Sequence, residues 1–463
     1  MNSTRSPESS VDSKSTLVYG LAIAGEAVAR ALVERGERVV LADDFITARH
    51  HNLADELGMA LVDGADVDEI DRQLRTVDRV VPAPGVPERH RIISESRALE
   101  VPLMSEIEVA YRIEQERHGG PRPMVGVTGT DGKTTTTLMA AAILKKAGHR
   151  SMAVGNTETP LIAALDSPAQ VFAVECSSFR LAYTEQFRVR ASVWLNFAPD
   201  HLDWHDNLES YRNAKAKIWQ YTRAGDVAVA PADDEELLSI ARDATARTVT
   251  FGADRGDYNG IDGNLTSPHG LIMSADEMKR SLPHDVTNAL AAAAICIEAG
   301  LAGPQHVAQA LAEFEHAPHR IQFVAERDGV RWFDDSKATS PHAVQVALKS
   351  FDNIVLIAGG KNKNLDLSSL ASQPGRMRGV VAIGQSATDI AGAFDGVCVV
   401  ETGTSMLEAI RIARRLSKPG DVVLLSPGCT SYDWYSNYNE RGDDFSHLVI
   451  SELGEEFRHV HSN

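Results

Sequence analysis

Short apolar runs alternate with amphipathic stretches along most of the chain. Residues 171–174 form a continuous apolar run and residues 191–197 a mostly apolar one, of the kind that forms strands buried on both faces of a sheet. Residues 211–218 and 284–300 have the spacing typical of helices, and the second stretch is rich in alanine. This alternation predicts an α/β fold built mainly on parallel strands.

The first part of the chain has the pattern of a Rossmann-like βαβ unit. A strand at residues 16–19 precedes a helix at 26–34 and a second strand at 38–42, and a further short strand is predicted at 101–106. The first turn reads GLAIAG, with Ala22 where a dinucleotide motif has its middle glycine. A NAD site, a site for another nucleotide and a purely structural domain all remain open.

The last third of the chain alternates again after a predicted hairpin. Residues 322–326 and 330–333 flank Arg327, Asp328 and Gly329, which favour a tight turn. We expect the following strands at residues 353–358, 380–383, 396–400 and 421–425.

The stretch MVGVTGTDGKTTTT at residues 124–137 has the most specific chemistry. An apolar strand leads through Gly126, Gly129 and Gly132 to Lys133, which begins a helix. In such a unit the backbone N–H groups surround phosphate oxygens, Lys133 reaches the β- and γ-phosphates, and the Thr134 hydroxyl can ligate Mg²⁺. The first glycine stands one residue further back than in the common pattern, so we interpret the stretch as a variant phosphate loop.

Length and charge limit the possible classes of protein. The 463 residues suggest about three domains. The formal net charge of −18 argues against binding to nucleic acid. We expect a disordered tail at residues 1–14, a Rossmann-like domain at 15–119, a central ATP-binding domain at 120–316 and a C-terminal domain at 317–463.

Three further patterns bear on location. The four cysteines are dispersed without a C-x-x-C pair, which is typical of reduced thiols. No apolar run reaches about 18 residues, and the first residues lack the apolar core of a signal peptide. We expect a cytoplasmic monomer that does not insert into a membrane.

Candidate ligand-binding side chains follow strands of the central domain. Glu175 and His201 come after two predicted strands, and Lys133 lies in the phosphate loop. Because ligands bind beyond the carboxyl ends of parallel strands, we expect the three to converge. A carboxylate and an imidazole beside ATP would supply ligands for Mg²⁺, although each alone is more often a surface charge or a cap.

Lysines form the other candidate groups. Lys215 and Lys217 are two residues apart on a predicted helix, so they must point to different faces, and one should be solvated. In the last third, Lys337, Lys361 and Lys363 lie in loops after predicted strands, where they suit an anionic ligand.

Eight segments resemble, in this order, the Mur ligase family. They are TGTDGKTTT, ECSSF from Glu175, NFAPDHLD from Asn196, YRNAKAK from Tyr211, HDVTNALAA from His284, PHR from Pro318, DDSKAT from Asp334 and SPGCTSYDWYSNYNERG from Ser426. Within the family, DSKAT, the last segment and the GLAIAG start resemble the members that add D-glutamate.

The resemblance implies three α/β domains: a Rossmann-like N-terminal domain, a central P-loop ATPase-like domain with a mostly parallel sheet, and a Rossmann-like C-terminal domain. It implies ATP-dependent ligation of D-glutamate to UDP-N-acetylmuramoyl-L-alanine through an acyl phosphate, a cytoplasmic step of peptidoglycan precursor synthesis. The implied cofactors are ATP and two Mg²⁺ ions.

The resemblance also assigns roles residue by residue. The catalytic residues would be Lys133, Glu175, His201 and Lys215. The ATP site would comprise Gly129, Thr130, Asp131, Gly132, Lys133, Thr134, Thr135, Asn288, Arg320 and Asp335. The metal ligands would be Thr134, Glu175, His201 and Lys215, the last as a carbamate. The UDP-sugar would contact Leu21, Ile23, Ala24, Gly85, Asn156 and Thr157, and D-glutamate would contact Lys337, Thr339, Lys363, Ser431 and Tyr438.

The chain departs from the family pattern at several positions. Asp44 and Phe45 stand where a Thr-Arg pair often helps to hold the UDP group, so recognition of uridine is open. Asp285 replaces an expected asparagine and Tyr438 an expected phenylalanine. Two alternatives remain: a folylpolyglutamate-type ligase, which generally lacks a full Rossmann-like domain ahead of the phosphate loop, and a non-catalytic nucleotide-binding module.

Overall fold

The computed structural model describes residues 14–363 and 365–454. Residues 1–13, which make up nearly all of the tail predicted to be disordered, lie outside the described residues. Across the described part of the chain, no helix has both the length and the apolar character needed to cross a bilayer. The strands form three sheets in chain order.

Four parallel strands form the first sheet, in the spatial order β3-β2-β1-β4. The strands are β1 (Ser15–Tyr19), β2 (Arg38–Asp43), β3 (Ala60–Asp63) and β4 (Arg79–Pro82), and the helices are α1 (Ile23–Glu34), α2 (Ala48–Leu57), α3 (Val67–Leu74), α4 (Arg91–Ala98) and α5 (Glu106–Gln115). The predicted βαβ unit is confirmed. Because the strands are parallel, the β1–α1 turn and the loop after β4 lie at the same edge of the sheet.

The prediction of a strand at residues 101–106 is wrong. Leu103 makes a single bridge to Val80, and Glu106 already begins α5. Pro102 has no N–H group to extend the pairing, and Ser105 takes the extended N-cap conformation from which the helix starts.

Nine strands form the central sheet, in the order β13-β12-β11-β10-β9-β8-β5-β7-β6. The strands are β5 (Met124–Thr128), β6 (Ser151–Gly155), β7 (Val171–Glu175), β8 (Ala191–Trp194), β9 (Val227–Pro231), β10 (Arg247–Gly252), β11 (Tyr258–Asn259), β12 (Asn264–Ser267) and β13 (Gly270–Ser274). The helices are α6 (Lys133–Lys146), α7 (Ser178–Leu181), α8 (Leu208–Gln220), α9 (Glu235–Asp243), α10 (Pro283–Glu298) and α11 (Pro304–Glu313).

The position of β5 in this sheet determines where the site lies. β5 pairs in parallel with β7 on one side and with β8 on the other. The phosphate loop that follows β5 therefore emerges between the ends of those strands, beside the residues that follow them. The antiparallel extension formed by β11, β12 and β13 lies at the far edge and was not predicted.

Six strands form the third sheet, in the order β14-β15-β19-β16-β17-β18. The strands are β14 (Gln322–Arg327), β15 (Val330–Asp334), β16 (Ile354–Gly359), β17 (Met377–Ile383), β18 (Val399–Gly403) and β19 (Val422–Gly428), and the helices are α12 (Pro341–Leu348), α13 (Ala387–Ala393), α14 (Met406–Leu416) and α15 (Tyr438–Leu453). The antiparallel β14–β15 hairpin is confirmed. β18 begins three residues later than the predicted start at Gly396, because Gly396 lies in a turn with φ of 72°.

Helix α5 joins the first sheet to the central domain. The buried Glu108 carboxylate accepts hydrogen bonds from the backbone N–H groups of Glu185, Gln186 and Phe187. Side chains of α5 also share one hydrophobic core with residues around Leu161 of the central domain. The domain boundaries proposed from the sequence remain predictions.

Candidate active site

The phosphate loop connects β5 to α6 and requires glycine at its tightest point. Gly132 has φ of 81°, and a Cβ atom there would lie 2.6 Å from Oδ1 of Asn288. No side chain among the described residues caps α6, so the N–H groups of its first turn can bind phosphate oxygens. The Lys133 ammonium donates to the carbonyl oxygens of Gly129 (2.9 Å) and Thr130 (2.8 Å), which holds it over the loop.

Asn196 fixes the shape of the loop from the end of β8. Its Oδ1 accepts from the backbone N–H groups of Thr130 (3.0 Å) and Asp131 (2.9 Å), and its Nδ2 donates to the Asp131 carbonyl at 3.2 Å. The Thr130 hydroxyl also lies 3.1 Å from the Tyr211 hydroxyl on α8. The sequence segment around Asn196 had been noted, but this role had not been predicted from it.

Glu175 ends β7 with one unsatisfied oxygen. The residue is buried, and its Oε1 accepts from Nδ2 of Asn156 at 3.3 Å. Its Oε2 has no hydrogen-bond partner among the described residues. A buried carboxylate oxygen is costly without a donor or cation, so this arrangement fits a metal ion beside the phosphate loop.

The donor set around the loop suits a hard cation that retains other ligands. No group of three or more His, Cys, Asp or Glu side chains in residues 14–363 and 365–454 is arranged as a metal centre. Mg²⁺ commonly binds through one or two carboxylates, water and substrate phosphates. Glu175 and the Thr134 hydroxyl match that requirement.

Lys215 is buried in the middle of α8. It is only 1% exposed, and its ammonium donates to the Gly129 carbonyl at 2.6 Å. Burial and, secondarily, the charge of Lys133 hold the pKa of Lys215 well below its ordinary range, although nearby carboxylates oppose the shift. The neutral amine is therefore favoured more strongly here than for an exposed lysine.

Lys215 and Lys217 have separate partners, as the helical spacing predicts. Lys217 is only partly exposed, however, and its ammonium binds protein carbonyls, so the expectation of a fully solvated lysine is not met. Its ammonium donates to the carbonyl oxygens of Ala182 (2.5 Å) and Thr184 (3.3 Å), just beyond α7. The end of a helix leaves carbonyls unpaired, and a nearby lysine satisfies them.

His201 has a left-handed backbone conformation and packs against an aromatic ring. Its φ is 55°, its Nε2 lies 3.4 Å from Asp200, and its ring packs edge-on against Phe179 with centroids 4.7 Å apart. Burial lowers the pKa of His201 to about 4; Asp200 raises it, while Lys133, Lys363 and Lys215 lower it further. These lysines come from the phosphate loop, from α8 and from the third domain.

A cavity of about 580 Å³ lies beside the phosphate loop. Its walls include Asp131, Asn196 and Asn288 of the central domain and His342 of α12. Asn288 lies against the loop, since a Cβ atom at Gly132 would come within 2.6 Å of its Oδ1. His342 was not predicted.

A smaller cavity next to it is lined by Arg320, Asp335 and Lys337. Oδ2 of Asp335 accepts from the Ser426 hydroxyl at 2.7 Å, and Oδ1 accepts from the Ile321 N–H at 3.3 Å. Burial raises the pKa of Asp335 to about 7 despite these hydrogen bonds.

The departure from the family pattern at Asp285 has a structural explanation. Asp285 is fully buried, and Arg280 forms two hydrogen bonds to its carboxylate, at 2.7 and 2.8 Å. Arg280 also donates to the carbonyl oxygens of Arg320 (2.5 Å) and Ile321 (2.9 Å). The Arg280–Asp285 pair therefore ties the start of α10 to the segment that enters the third domain.

The third-domain residues assigned to D-glutamate lie on neighbouring loops. The Lys337 ammonium lies 2.5 Å from the Tyr438 hydroxyl and 3.8 Å from the centroid of its ring. Ser431 is buried, whereas Thr339 and Lys363 are partly exposed.

Arg441 holds two of these loops together and was not predicted. Its guanidinium is buried and donates to the Ser336 hydroxyl (2.9 Å), the Ser336 carbonyl (2.8 Å) and the Cys429 carbonyl (3.1 Å). The quoted segment NERG contained this arginine, but its buried contacts depend on the tertiary fold.

A separate cavity of about 430 Å³ lies at the carboxyl edge of the first sheet. Its lining includes Ile23, Ala24, Gly85 and Thr157, four of the residues assigned to the UDP-sugar. The side chain of Leu21 instead lies in the core, and its N–H donates to Asp43 at 2.7 Å. Leu21 therefore positions the turn rather than lining the cavity.

Charged side chains in the first-domain cavity are few. Asp44 accepts from the Tyr19 hydroxyl at 2.5 Å and lies 3.2 Å from Nε2 of His90. Of the described residues that line this cavity, Arg180 alone carries a positive charge. It is 5% exposed, pairs with Glu106, and has no partner for its Nε among the described residues. The family motifs in the sequence did not single out Arg180.

Two family descriptions match the chain. "Mur ligase middle domain" matches residues 127–296, and "Mur ligase, glutamate ligase domain" matches residues 319–429.

Relatives of nearly equal length are similar along the whole chain. The UDP-N-acetylmuramoylalanine--D-glutamate ligase of Frankia casuarinae is 39% identical over 95% of this chain and 94% of that protein. The protein of the same name from Pelotomaculum thermopropionicum is 36% identical over 95% of this chain and 98% of its own length.

Solved structures share the fold at lower identity. UDP-N-acetylmuramate-alanine ligase MurC from Thermotoga maritima has a TM-score of 0.58 at 21% identity, covering 95% of this chain and 99% of that one. A MurF ligase from the same organism, in complex with ADP, has a TM-score of 0.59 at 18% identity, covering 90% and 95%.

Proposed function

The chain belongs to the Mur ligase family, and from this premise we propose that it joins D-glutamate to UDP-N-acetylmuramoyl-L-alanine using ATP. The reaction is a step in the synthesis of peptidoglycan precursors. The relatives with this name match the chain from its first sheet to its last, which favours this activity over a folylpolyglutamate-type ligase or a non-catalytic nucleotide-binding module.

One structural observation carries the proposal. Lys133 of the phosphate loop and Lys215 of α8 both donate to the Gly129 carbonyl, at 2.9 and 2.6 Å, and Glu175 has a buried carboxylate oxygen without a partner among the described residues. A ligase that forms an acyl phosphate must bring a triphosphate, a carboxylate and an amine together, and the Lys133 ammonium with a metal ion at Glu175 would neutralise the negative charges where the first two meet.

In the proposed reaction, the γ-phosphoryl group of ATP passes to the L-alanyl carboxylate, and ADP leaves. The N–H groups at the start of α6 and the Lys133 ammonium would hold the β- and γ-phosphates. Gly129, Thr130, Asp131, Gly132 and Thr135 would complete the loop around them. Asn288 would lie near the adenine, and Arg320 and Asp335 would bind phosphate and ribose.

The metal site is proposed from the orphaned oxygen of Glu175. Thr134 and Glu175 would hold one Mg²⁺, and His201 with a carbamylated Lys215 would hold a second. Bound Mg²⁺ supplies positive charge that reduces repulsion between the triphosphate and the carboxylate. The low pKa values of His201 and Lys215 support uncharged nitrogens before any metal binds.

The carbamate on Lys215 is formed by a simple addition. The neutral amine attacks CO₂, a carbon–nitrogen bond forms as one carbon–oxygen π bond opens, and the nitrogen releases one proton to water, which leaves an anionic carbamate. The oxygens of this group suit a hard cation, whereas a protonated lysine would repel it.

The acyl phosphate would then be attacked by the amine of D-glutamate. The resulting tetrahedral intermediate expels phosphate and leaves an amide. We assign the D-glutamate carboxylates to Lys337, Thr339, Lys363, Ser431 and Tyr438. The Lys337–Tyr438 contact supports a preformed cationic pocket.

The UDP-sugar is assigned to the first-domain cavity and the adjoining Asn156. Ile23, Ala24, Gly85 and Thr157 would contact it, and the N-terminus of α1 would face its diphosphate. Asp44 and Phe45 provide no cation there, so Arg180 is the residue we propose for charge neutralisation. The four free thiols and this substrate support a cytoplasmic location, and we expect a monomer.

Phosphate release tests the proposed function. The purified protein should release phosphate from ATP with UDP-N-acetylmuramoyl-L-alanine plus D-glutamate, and mass spectrometry should show a product enlarged by one glutamate. Activity with a folate and L-glutamate would favour the folylpolyglutamate alternative. No turnover with either pair, despite nucleotide binding, would favour a binding module.

A further inference from the structure

One side-chain pair connects the phosphate loop to the third domain. Nδ1 of His342 lies within hydrogen-bond distance of Oδ2 of Asp131, although 211 positions separate the two residues in the sequence. The side chains are partly exposed, 28% for His342 and 24% for Asp131, and both line the 580 Å³ cavity. The pair therefore bridges two domains at the wall of the proposed nucleotide site.

Asp131 places a negative charge in a loop that is proposed to receive a triphosphate. Like charges at this range repel, so an uncompensated carboxylate would oppose ATP binding. Burial alone would raise the pKa of Asp131, but the hydrogen bond from His342 and the charges of Lys133 and Arg320 outweigh burial and lower it. Asp131 is therefore held as an anion.

His342 is well placed to offset that charge because α12 directs it towards the loop. The helix begins at Pro341, and its N-cap residue Ser340 accepts a hydrogen bond from the Ala343 N–H at 3.4 Å. Lys337 and Thr339, which we assign to D-glutamate, immediately precede this helix. A contact that fixes α12 against the phosphate loop thus also fixes the acceptor pocket relative to the γ-phosphate.

We propose that Asp131 and His342 form a latch between the phosphate loop and the third domain, with His342 as a positioning residue for ligation. The carboxylate is compensated by His342 only while the third domain is docked. ATP binding and docking must then favour each other, because a coupling between two events acts equally in both directions. This inference rests on the proposed function, since it assumes ATP in the cavity.

A double-mutant cycle tests the latch. His342→Ala leaves Asp131 facing the triphosphate without its partner, so we expect the KM values for ATP and D-glutamate to rise about ten-fold, with that for the UDP-sugar nearly unchanged. In an Asp131→Asn background, the same substitution should change the KM for ATP by less than about two-fold.

A variant on the same helix provides the control. The Gln345 side chain donates to the Ser369 carbonyl at 2.9 Å, inside the third domain. Gln345→Ala removes a hydrogen bond from α12 without touching the loop, so all three KM values should stay at the wild-type level.

Binding and shape can be measured without turnover. His342→Ala should weaken binding of a fluorescent, non-hydrolysable ATP analogue, and small-angle X-ray scattering should show a larger radius of gyration than for the wild type at saturating analogue. Equal effects of His342→Ala in the wild-type and Asp131→Asn backgrounds, or unchanged binding and shape, would overturn the latch. A wild-type protein that binds the analogue but forms no amide would instead overturn the proposed function.

Discussion

The nucleotide side and the first-domain cavity differ in the kind of polar group that each leaves without a partner. Beside the phosphate loop, Asn196 holds the backbone and Lys133 rests on two carbonyls. In the first-domain cavity, the Arg180 Nε lacks a partner among the described residues, and most of the lining is apolar. On the nucleotide side the protein shapes the loop and leaves a carboxylate oxygen of Glu175 for a cation, whereas in the first-domain cavity the group without a partner belongs to a cation, which suits an anionic ligand.

The largest expected effect comes from Lys133 and should be confined to the nucleotide side. Lys133→Ala should reduce ligation at least about 100-fold, because the triphosphate loses its principal side-chain cation in the transition state. Binding of UDP-N-acetylmuramoyl-L-alanine, measured by calorimetry without ATP, should stay the same.

Lys145→Ala is the matched control, since Lys145 is an exposed lysine at the other end of α6. Activity of Lys133→Ala within a few-fold of the control would reject the placement of Lys133.

Lys215→Ala should nearly abolish activity, because it removes the proposed carbamate. Acetate or formate should restore part of the rate by placing oxygens where the carbamate was. Lys217→Ala should lower the melting temperature, because two carbonyls lose their donor, but should leave the kcat close to the wild-type value.

Mass spectrometry provides an independent readout of the carbamate. An unmodified Lys215 in the Mg²⁺–substrate complex, together with no rescue by carboxylates, would show that the lysine acts as a simple cation.

Substitution of Arg180 probes the first-domain side. Arg180→Gln with Glu106→Gln removes the buried pair as a unit, which avoids leaving one charge unpaired. We expect the KM for UDP-N-acetylmuramoyl-L-alanine to rise about ten-fold while the KM for ATP changes little. Glu106→Gln alone, which keeps the arginine, should bind the UDP-sugar at least as well as the wild type. Equal KM values for the UDP-sugar in the double variant and the wild type would limit Arg180 to a structural role.

Asp335, a buried residue of the nucleotide side, should make the stability of the protein depend on pH. Its folded-state pKa of about 7 lies above the ordinary 3.8, so the folded state keeps a proton that the unfolded chain loses. Stability therefore falls as pH rises from about 4 to about 7 and then levels off. Without nucleotide, the melting temperature of Asp335→Asn relative to that of the wild type should rise by a few degrees between pH 4.5 and pH 8.

An exposed turn residue serves as the control for this experiment. The melting temperature of Asp328→Asn should differ from that of the wild type by the same amount at both pH values. If the difference in melting temperature between Asp335→Asn and the wild type does not grow with pH, the Asp335 carboxyl group is not held protonated.

Sequence patterns correctly predicted the strands, turns and helices that are determined by residues adjacent in the sequence. The apolar run before Gly126 and the glycines around Lys133 predicted the strand, the loop and the helix, and the Asp-Gly turn at residues 328–329 predicted the hairpin. The strand expected at residues 101–106 failed because Pro102 interrupts the pairing and the chain instead enters α5.

The missed residues act across large distances in the chain. Arg280 binds the Arg320 carbonyl, 40 positions away, Arg441 binds the Ser336 hydroxyl, 105 positions away, and His342 reaches Asp131 of the phosphate loop, 211 positions away. No local pattern distinguishes such residues from solvated charges, because their partners become neighbours only in the folded chain. The assignments of Thr134, Glu175 and Lys215 to metal ions remain predictions.

The central claim is that the carboxylate of the UDP-sugar attacks the γ-phosphate of ATP to form an acyl phosphate. Its most direct test uses UDP-N-acetylmuramoyl-L-alanine labelled with ¹⁸O in the L-alanyl carboxylate. An acyl-phosphate route transfers one labelled oxygen to the released phosphate, which mass spectrometry detects, and requires ATP and D-glutamate for full turnover. Released phosphate that carries no ¹⁸O while amide forms would contradict the account.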